Sequence, residues 1–297
     1  MPLPHIALAT LVALIYGVAF VAIRMAVDEW PPLMVTGWRF LLAAIPLVFF
    51  IRPPKVHWGY VASYGFVQGV VMFGTAITAI AWGMPGGLAS LVAQAQVFFT
   101  IGFAAFLFGE KPKAQHYAGA LIALLGMVIT GWGKVQEAAP LLPFMMMVFA
   151  AAAWGVANVI SKAARPPDMV SFVVWSCLAA PVPLFIGSML VEGTAFAWPG
   201  FWPSWQAAGA IAFMAWGATA FAFSAWTWLL RTHPAAVVTP FALLIPVFGF
   251  AAMALAYDEK LSAMTALGAA LVFAGLAVNV FGGRLFRRPG AVDKANP

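Results

Sequence analysis

Charge is what this sequence has least of. Asp, Glu, Lys and Arg make up 8% of its 297 residues, against 64% apolar residues. A soluble globular domain carries about 25% charged and about 45–50% apolar residues. In water this chain would have too little polar surface to cover itself, so a soluble fold is excluded and lipid must be its solvent. The mean hydropathy of +0.96 agrees. Cysteine is nearly absent: Cys177 stands alone inside an apolar run, which rules out an intramolecular disulfide and gives no sign of redox chemistry. Carboxylates are missing from the middle of every apolar run, and all nine Asp and Glu lie at run ends, in loops or in tails. No cluster of His, Asp, Glu or Cys falls at one depth, and there is no P-loop or metal-ligand spacing. A membrane enzyme needs such a constellation, so neither catalysis, a cofactor nor a bound metal is expected.

What is present is a succession of ten apolar runs, at about 6–23, 32–51, 60–82, 88–108, 116–132, 142–160, 169–191, 205–230, 235–257 and 264–281. One helix crosses a bilayer with about 20 residues, so ten crossings leave only short loops and no soluble domain. The first run lacks a basic flank and is long for the apolar core of a cleaved signal; it is expected to be retained. Trp30, Trp58, Trp82, Trp132, Trp198 and Trp202 lie near run ends, as an interfacial aromatic belt requires. Lys and Arg divide eleven to three between alternate loops, the richer side holding Arg52, Lys55, Lys111, Lys113, Lys162, Arg165, Arg231, Arg284, Arg287, Arg288 and Lys294. Positive loops stay inside, so both termini are expected in the cytoplasm. The same loops account for the net charge of +6 without a nucleic-acid partner.

The chain repeats itself. Tyr16-Gly-Val-Ala-Phe-Val-Ala-Ile-Arg24 parallels Trp154-Gly-Val-Ala-Asn-Val-Ile-Ser-Lys162, and Pro31-Pro-Leu-Met-Val-Thr36 parallels Pro166-Pro-Asp-Met-Val-Ser171. Gly109-Glu-Lys111 matches Asp258-Glu-Lys260, while Gly119 and Gly126 match Gly268 and Gly275 at an offset of 149. The halves, 1–138 and 139–297, hold five runs each. An odd number means the second half enters the membrane upside down. Inverted repeats of this kind build secondary transporters, with substrate near the midplane between them.

Ionisable groups inside a membrane span are functional candidates, and Arg39 is the one clear case. It either bonds backbone carbonyls between helices or meets the substrate, and it has no basic counterpart in the second half. Proton-driven carriers usually need an intramembrane Asp, Glu or His. His5, His57, His116 and His233 all lie near run ends, so facilitated, gradient-driven transport is expected. Neutral polar candidates are Tyr64, Gln68 and Met72 on one helical face, Gln94 and Gln96, Asn158, Thr239 and Asn279. They serve either as interhelical hydrogen bonds or as a cavity that holds an ammonium and a carboxylate through neutral dipoles. Tyr16, Phe20, Phe73, Phe98, Trp154, Trp216 and Phe223 could form its walls. By the repeat, Arg24 and Glu259 close one side of the membrane and Lys162 and Glu110 the other, either as two ion-pair latches or as four separate solvated charges. Gly65 and Gly69 allow close helix contact. Pro85 and Pro234 each open a run, and Pro240 and Pro246 kink the ninth.

Ten spans in two inverted halves, Pro31-Pro-Leu-Met34 with Arg39-Phe40, the stretch Gly83-Met-Pro-Gly-Gly-Leu-Ala-Ser-Leu-Val-Ala-Gln-Ala-Gln96, Phe108-Gly-Glu110 and Asn279-Val-Phe-Gly282 resemble the EamA-type drug/metabolite transporters. The likeness spans nearly the whole chain and is strongest to bacterial exporters of cysteine and O-acetylserine; aromatic amino-acid exporters are similar in architecture. The resemblance implies a ten-helix exporter of the bacterial inner membrane, with a central cavity lined mainly by helices 1, 3, 4, 6, 8 and 9. It carries Gln94 and Gln96 along without fixing their role. The substrate expected is an amino acid or a related small metabolite, and a monomer suffices. The alternatives are an exchanger of anionic metabolites, which should place several basic residues in the spans, and a channel, which should show a continuous polar stripe.

Overall fold

The computed structural model describes residues 1–136, 141–233, 238–260 and 262–285. Glu137, Pro234 and the tail bearing Arg287, Arg288 and Lys294 lie outside the described residues. So do the side chains of Lys134, Arg231, Thr239, Pro240 and Arg284. Among the described residues there is no strand, only one isolated bridge between Ala195 and Trp198.

The helices are α1 (Leu3–Val27), α2 (Pro32–Val48), α3 (Trp58–Ala81), α4 (Gly86–Phe108), α5 (Ala114–Gln136), α6 (Leu141–Ala164) and α7 (Met169–Glu192). They are followed by α8, running from Trp205–Ala212 through Phe223–Thr232, then α9 (Thr239–Leu243 continued by Leu244–Tyr257) and α10 (Ala263–Leu285). Eight of them are long and apolar enough to cross a membrane. The shorter apolar helices are α2 and the described part of α9 (Phe241–Tyr257). The expected second run reached residue 51, but α2 stops at Val48, two residues after Pro46. Proline removes a donor and strains the preceding turn.

In lipid, helices gain little by hiding apolar surface, so association rests on close packing of small residues. A Cβ on Gly65 would lie 2.0 Å from the Ser176 carbonyl oxygen, and one on Gly69 would lie 2.3 Å from the Ala180 Cβ. The G-x-x-x-G face of α3 is thus pressed onto α7. Between α5 and α10, Gly119 faces Gly275 while Gly126 faces Gly268, each Cβ landing 2.6 Å from the opposing carbonyl oxygen. Gly17 of α1 meets Phe248 and Gly249 of α9, just as Gly155 of α6 meets Phe99 and Thr100 of α4.

Five helices depart from α geometry: α7 carries a 3₁₀ turn at Cys177–Ala179 and a π segment at Ser188–Glu192, while the departures of α3, α4, α8 and α9 come in pairs. In α3 the turns widen to π geometry over Phe66–Phe73, and in α8 they do so over Phe213–Ala222; the two segments begin 147 residues apart. In α4 one turn tightens to 3₁₀ at Ala93–Ala95, and α9 opens with a 3₁₀ turn at Thr239–Leu243. Such interruptions concentrate at functional sites and hinges.

Long-range polar contacts sort into two ends. At one end, carboxylates cap helix N-termini, where orphan N–H groups and the helix dipole favour an anion. Glu192 accepts from Leu33 N of α2 at 2.8 Å, Glu259 from Gly87 N of α4 at 3.2 Å, and Glu29 from Ser204 N of α8 at 2.8 Å. The bonds from the Ser204 hydroxyl and then its N–H hold the Glu29 carboxyl below the usual carboxylate range. At the other end, Lys162 pairs with Glu110, Trp175 donates to Ile51 O, and His5 bonds His233 at 2.7 Å. Of the tryptophans expected in a belt, Trp58, Trp82, Trp132 and Trp202 are exposed, but Trp30 is only 4% exposed and belongs to the core.

Candidate transport site

Halfway along α4, the 3₁₀ turn at Ala93–Ala95 hands over to the helix that begins at Gln96. Here a polar cluster joins α4 to α6. Asn158 Nδ2 donates to Gln96 Oε1 at 2.7 Å and to Thr100 Oγ1 at 3.0 Å, and the Thr100 hydroxyl donates to Gln96 O at 2.7 Å. This uses both amide protons of Asn158 and leaves Gln96 Nε2 and Asn158 Oδ1 without a partner among the described residues. Gly155, one turn before Asn158, lets the two helices approach closely enough for these bonds. Thr100 also lines a pocket of about 250 Å³ that runs past Ile101, Ala104 and His116 to the Lys162–Glu110 pair. A second pocket of about 160 Å³ adjoins it along Phe98, Pro112 and Tyr117. Of the cluster, Thr100 alone borders these pockets.

The other sequence candidates fall in three groups. Phe20, Phe73, Phe98 and Trp154 pack, half-buried, on one apolar core cluster together with residues of α1, α3, α4 and α6. Tyr64 and Met72 are buried, at 7% and 3% exposure, and Tyr64 leans on Phe172 with ring centroids 5.0 Å apart. Gln68 lies in the π segment of α3, and its Oε1 is buried without a partner. Gln94 is buried and makes no hydrogen bond to the described residues; Phe223 is half-buried on α8. Trp216 is 48% exposed, with its indole N–H donating to Leu42 O at 3.0 Å, so it ties α8 to α2. Thr239 begins the 3₁₀ turn of α9, and its side chain lies outside the described residues.

Arg39 is 5% exposed. Its guanidinium stacks over Phe73 at 4.0 Å and reaches Thr219 Oγ1 of α8 from Nε at 3.4 Å and Nη2 at 3.3 Å. Tyr16, Tyr64 and Cys177 are its electrostatic neighbours. The expectation that it bonds backbone carbonyls does not hold, because its hydrogen bonds go to this one hydroxyl.

Of the two expected latches, Lys162 and Glu110 are paired, each with about half its side chain exposed at 48%. Arg24 and Glu259 are not. Arg24 Nε pairs with Asp28 at 2.9 Å one turn away, and Glu259 caps α4 through Gly87 N. The local i,i+4 carboxylate and the free helix N-terminus each offer a nearer partner. Reading the repeat could not reveal this, since Asp28 has no acidic counterpart beside Lys162. Asn279 is drawn to α5, its carbonyl accepting from Gln115 Nε2 at 3.0 Å, while its own Nδ2 is buried and unpartnered.

The all-helical architecture, the apolar lengths and this part-buried polar cluster define a multi-pass membrane transporter. The chain belongs to the EamA-like transporter family, whose pattern it matches twice, at residues 3–132 and 141–281. It is 36% identical over 281 residues to a probable amino-acid metabolite efflux pump of Escherichia coli (strain K12), covering 93% of this chain and 94% of the relative. It is 28% identical over 201 residues to an aromatic amino acid exporter of Ancylobacter novellus, 65% of this chain and 67% of that one. Among solved structures, one crystal structure aligns over 95% of this chain and 99% of its own, with a TM-score of 0.63 and 24% identity, and so shares the fold.

Proposed function

We propose that this protein exports amino acids and related small metabolites across the bacterial inner membrane by alternating access, as a facilitative carrier. The observation that carries the reading is the Gln96–Thr100–Asn158 cluster at the break in α4. It leaves one amide donor and one amide acceptor free beside Thr100, which borders the pocket reaching the Lys162–Glu110 pair. Gln96 Nε2 suits a carboxylate or carbonyl oxygen, and Asn158 Oδ1 suits an ammonium or hydroxyl, so a small zwitterion fits both. The names of the relatives in Escherichia coli and Ancylobacter novellus point to the same substrate class.

The architecture behind the cycle is ten spans in two inverted halves, 1–138 and 139–297, with both termini in the cytoplasm. Support comes from the double family match, the paired π and 3₁₀ segments, and the crosswise contacts Gly119–Gly275 and Gly126–Gly268. A two-fold axis exchanges i with j in this way. The Lys162–Glu110 pair is the cytoplasmic latch, closed here. Arg24 is held by Asp28, so the outer side lacks its matching pair. Facilitated transport follows from the scarcity of carboxylates at midplane depth, the acids at one end being engaged as helix caps.

The test is uptake of a panel of labelled amino acids into liposomes holding the purified protein, with and without a pH gradient. Saturable uptake in both conditions is expected. Uptake only with a gradient would replace facilitation by proton coupling, and none in either would remove amino acids as substrates.

A further inference from the structure

We propose that Arg39 is the carboxylate-recognition residue of this carrier, so that its substrates must bear a free carboxylate. The inference rests on the exporter reading and narrows its substrate class. A neutral amide such as Gln96 accepts a carboxylate and a carboxamide about equally well; a buried cation does not.

The partner census makes the case. Arg39 lies midway along α2 at 5% exposure, and a guanidinium at such depth in a bilayer is held at high cost unless something compensates its charge. Among the described residues no carboxylate lies within ion-pair distance of it. Both of its hydrogen bonds converge on Thr219 Oγ1, at 3.3 and 3.4 Å. Charge-assisted bonds to an anion run at about 2.7–2.9 Å. Thr219 donates its own hydroxyl proton to Met214 O at 2.9 Å and so meets Arg39 only as a neutral acceptor. Nη1 has no partner and is buried. Of five N–H donors, three are therefore unused and two are weakly used. A guanidinium kept only to hold helices together would bond carbonyl oxygens, and this one bonds none. What its face does have is Phe73 at 4.0 Å, which stabilises the cation while leaving the planar N–H edge free. That edge matches a carboxylate bidentately.

Its surroundings agree. Phe73 ends the π segment of α3 and Thr219 lies within the π segment of α8, so the guanidinium sits between the two widened turns. Phe73 also packs on the same core cluster as Phe20, Phe98 and Trp154. Two further buried polar atoms on the neighbouring helices, Gln68 Oε1 and Ser176 Oγ, lack partners. Because the second half has no counterpart of Arg39, one carboxylate is taken per cycle.

Binding and transport are measured separately. Affinities come from ligand-dependent melting of the purified protein in detergent, with phenylalanine and serine compared against phenylalaninamide and serinamide. The wild type is expected to bind an acid at least about 10-fold more tightly than its amide, a small figure beside what a pre-formed polar site can achieve. In Arg39→Gln the acid should weaken by at least about 10-fold, with the amide unchanged, bringing the ratio near one. Arg39→Lys keeps the charge without the fork and should fall between. It also serves if Arg39→Gln does not fold. Thr219→Val removes the neutral partner and should leave acid binding intact or tighter. An acid-to-amide preference that survives Arg39→Gln or is unchanged in Arg39→Lys overturns the assignment. So does loss of acid binding in Thr219→Val, which would make Arg39 a strut to α8, or a wild type that does not distinguish acid from amide. Acid binding without uptake into liposomes would leave Arg39 standing and bring down the transport reading instead.

Discussion

Two helix contacts in this molecule are built alike and equipped differently. Where α6 crosses α4, Gly155 lies against Phe99 and Thr100; where α1 crosses α9, Gly17 lies against Phe248 and Gly249. Phe99 and Phe248, like Thr100 and Gly249, are 149 residues apart in the chain. The backbones approach equally closely, but the first contact carries Gln96, Thr100 and Asn158, and the matching positions of the second are Ile245, Gly249 and Phe20. An interhelical hydrogen bond in lipid stabilises by only about 0.6–2 kcal/mol, and the apolar contact holds without any. The polar set at α4–α6 therefore exceeds what packing requires. That excess is why the cluster is proposed as the site, with near-symmetric halves sharing a frame while one of them carries the polar set.

The comparison breaks first at the glycines. Gly17→Val and Gly155→Val place a branched side chain where even a Cβ would lie 2.6 and 2.8 Å from its neighbours. Overpacking of this kind costs about 1–3 kcal/mol or more. Both variants should lose most of the folded peak in size-exclusion melting, Gly17→Val the more severely. Equal wild-type behaviour of either would show that the close approach is not what holds the halves.

Next comes Asn158→Phe, which gives the polar contact the residue of its apolar twin. It removes the donor to Gln96 and Thr100, and uptake should fall by at least about 10-fold, while stability changes by no more than about 1–3 kcal/mol. Transport at the wild-type rate would make the cluster mere packing. A smaller effect is expected from Glu110→Gln. The Lys162–Glu110 pair is half exposed, so its stability term is at most about 1 kcal/mol, yet transport should change several-fold if the pair latches one state. Unchanged rates at low and high salt would dismiss the latch.

The smallest effect concerns Glu29 at the N-terminus of α8. Its carboxyl is held below the usual range by Ser204. Its contribution is thus present above the ordinary carboxylate pKa and is lost as pH falls through the lowered folded value. Melting curves of the wild type and Glu29→Gln should differ at neutral pH and converge in acid. A constant gap would mean that the cap does not titrate.

Much of the frame could be read in advance. Eight of the ten apolar runs reappear as helices long and apolar enough to cross a membrane, and the second and ninth as shorter apolar helices, because hydropathy marks lipid-facing length and little else. Gln96 and Asn158 were legible as polar residues within apolar runs, but their union was not, since they lie 62 residues apart and meet only because Gly155 lets α6 onto α4. Arg24 shows the limit of arguing from the repeat. Its counterpart Lys162 does meet Glu110, yet Arg24 turns to Asp28, a partner the other half lacks. Glu259, offered as a latch partner for Arg24, and Glu192, one of the acids at run ends, both prove to be caps, because orphan N–H groups at helix starts are invisible in a list of residues.

The sequence by itself determined that the solvent is lipid, that the chain is a series of apolar helices in two related halves, and that Arg39 is the clear charge at depth. Composition and periodicity decide these matters, for they depend on transfer from water and on nothing distant. Only the tertiary structure decided which polar atoms find partners. It satisfied the amide protons of Asn158 with Gln96 and Thr100, left Arg39 Nη1 and Gln68 Oε1 without any partner, and widened α3 and α8 on either side of that guanidinium. Hydrogen bonding is directional and short in range, so it is settled by which helices the glycines allow to touch.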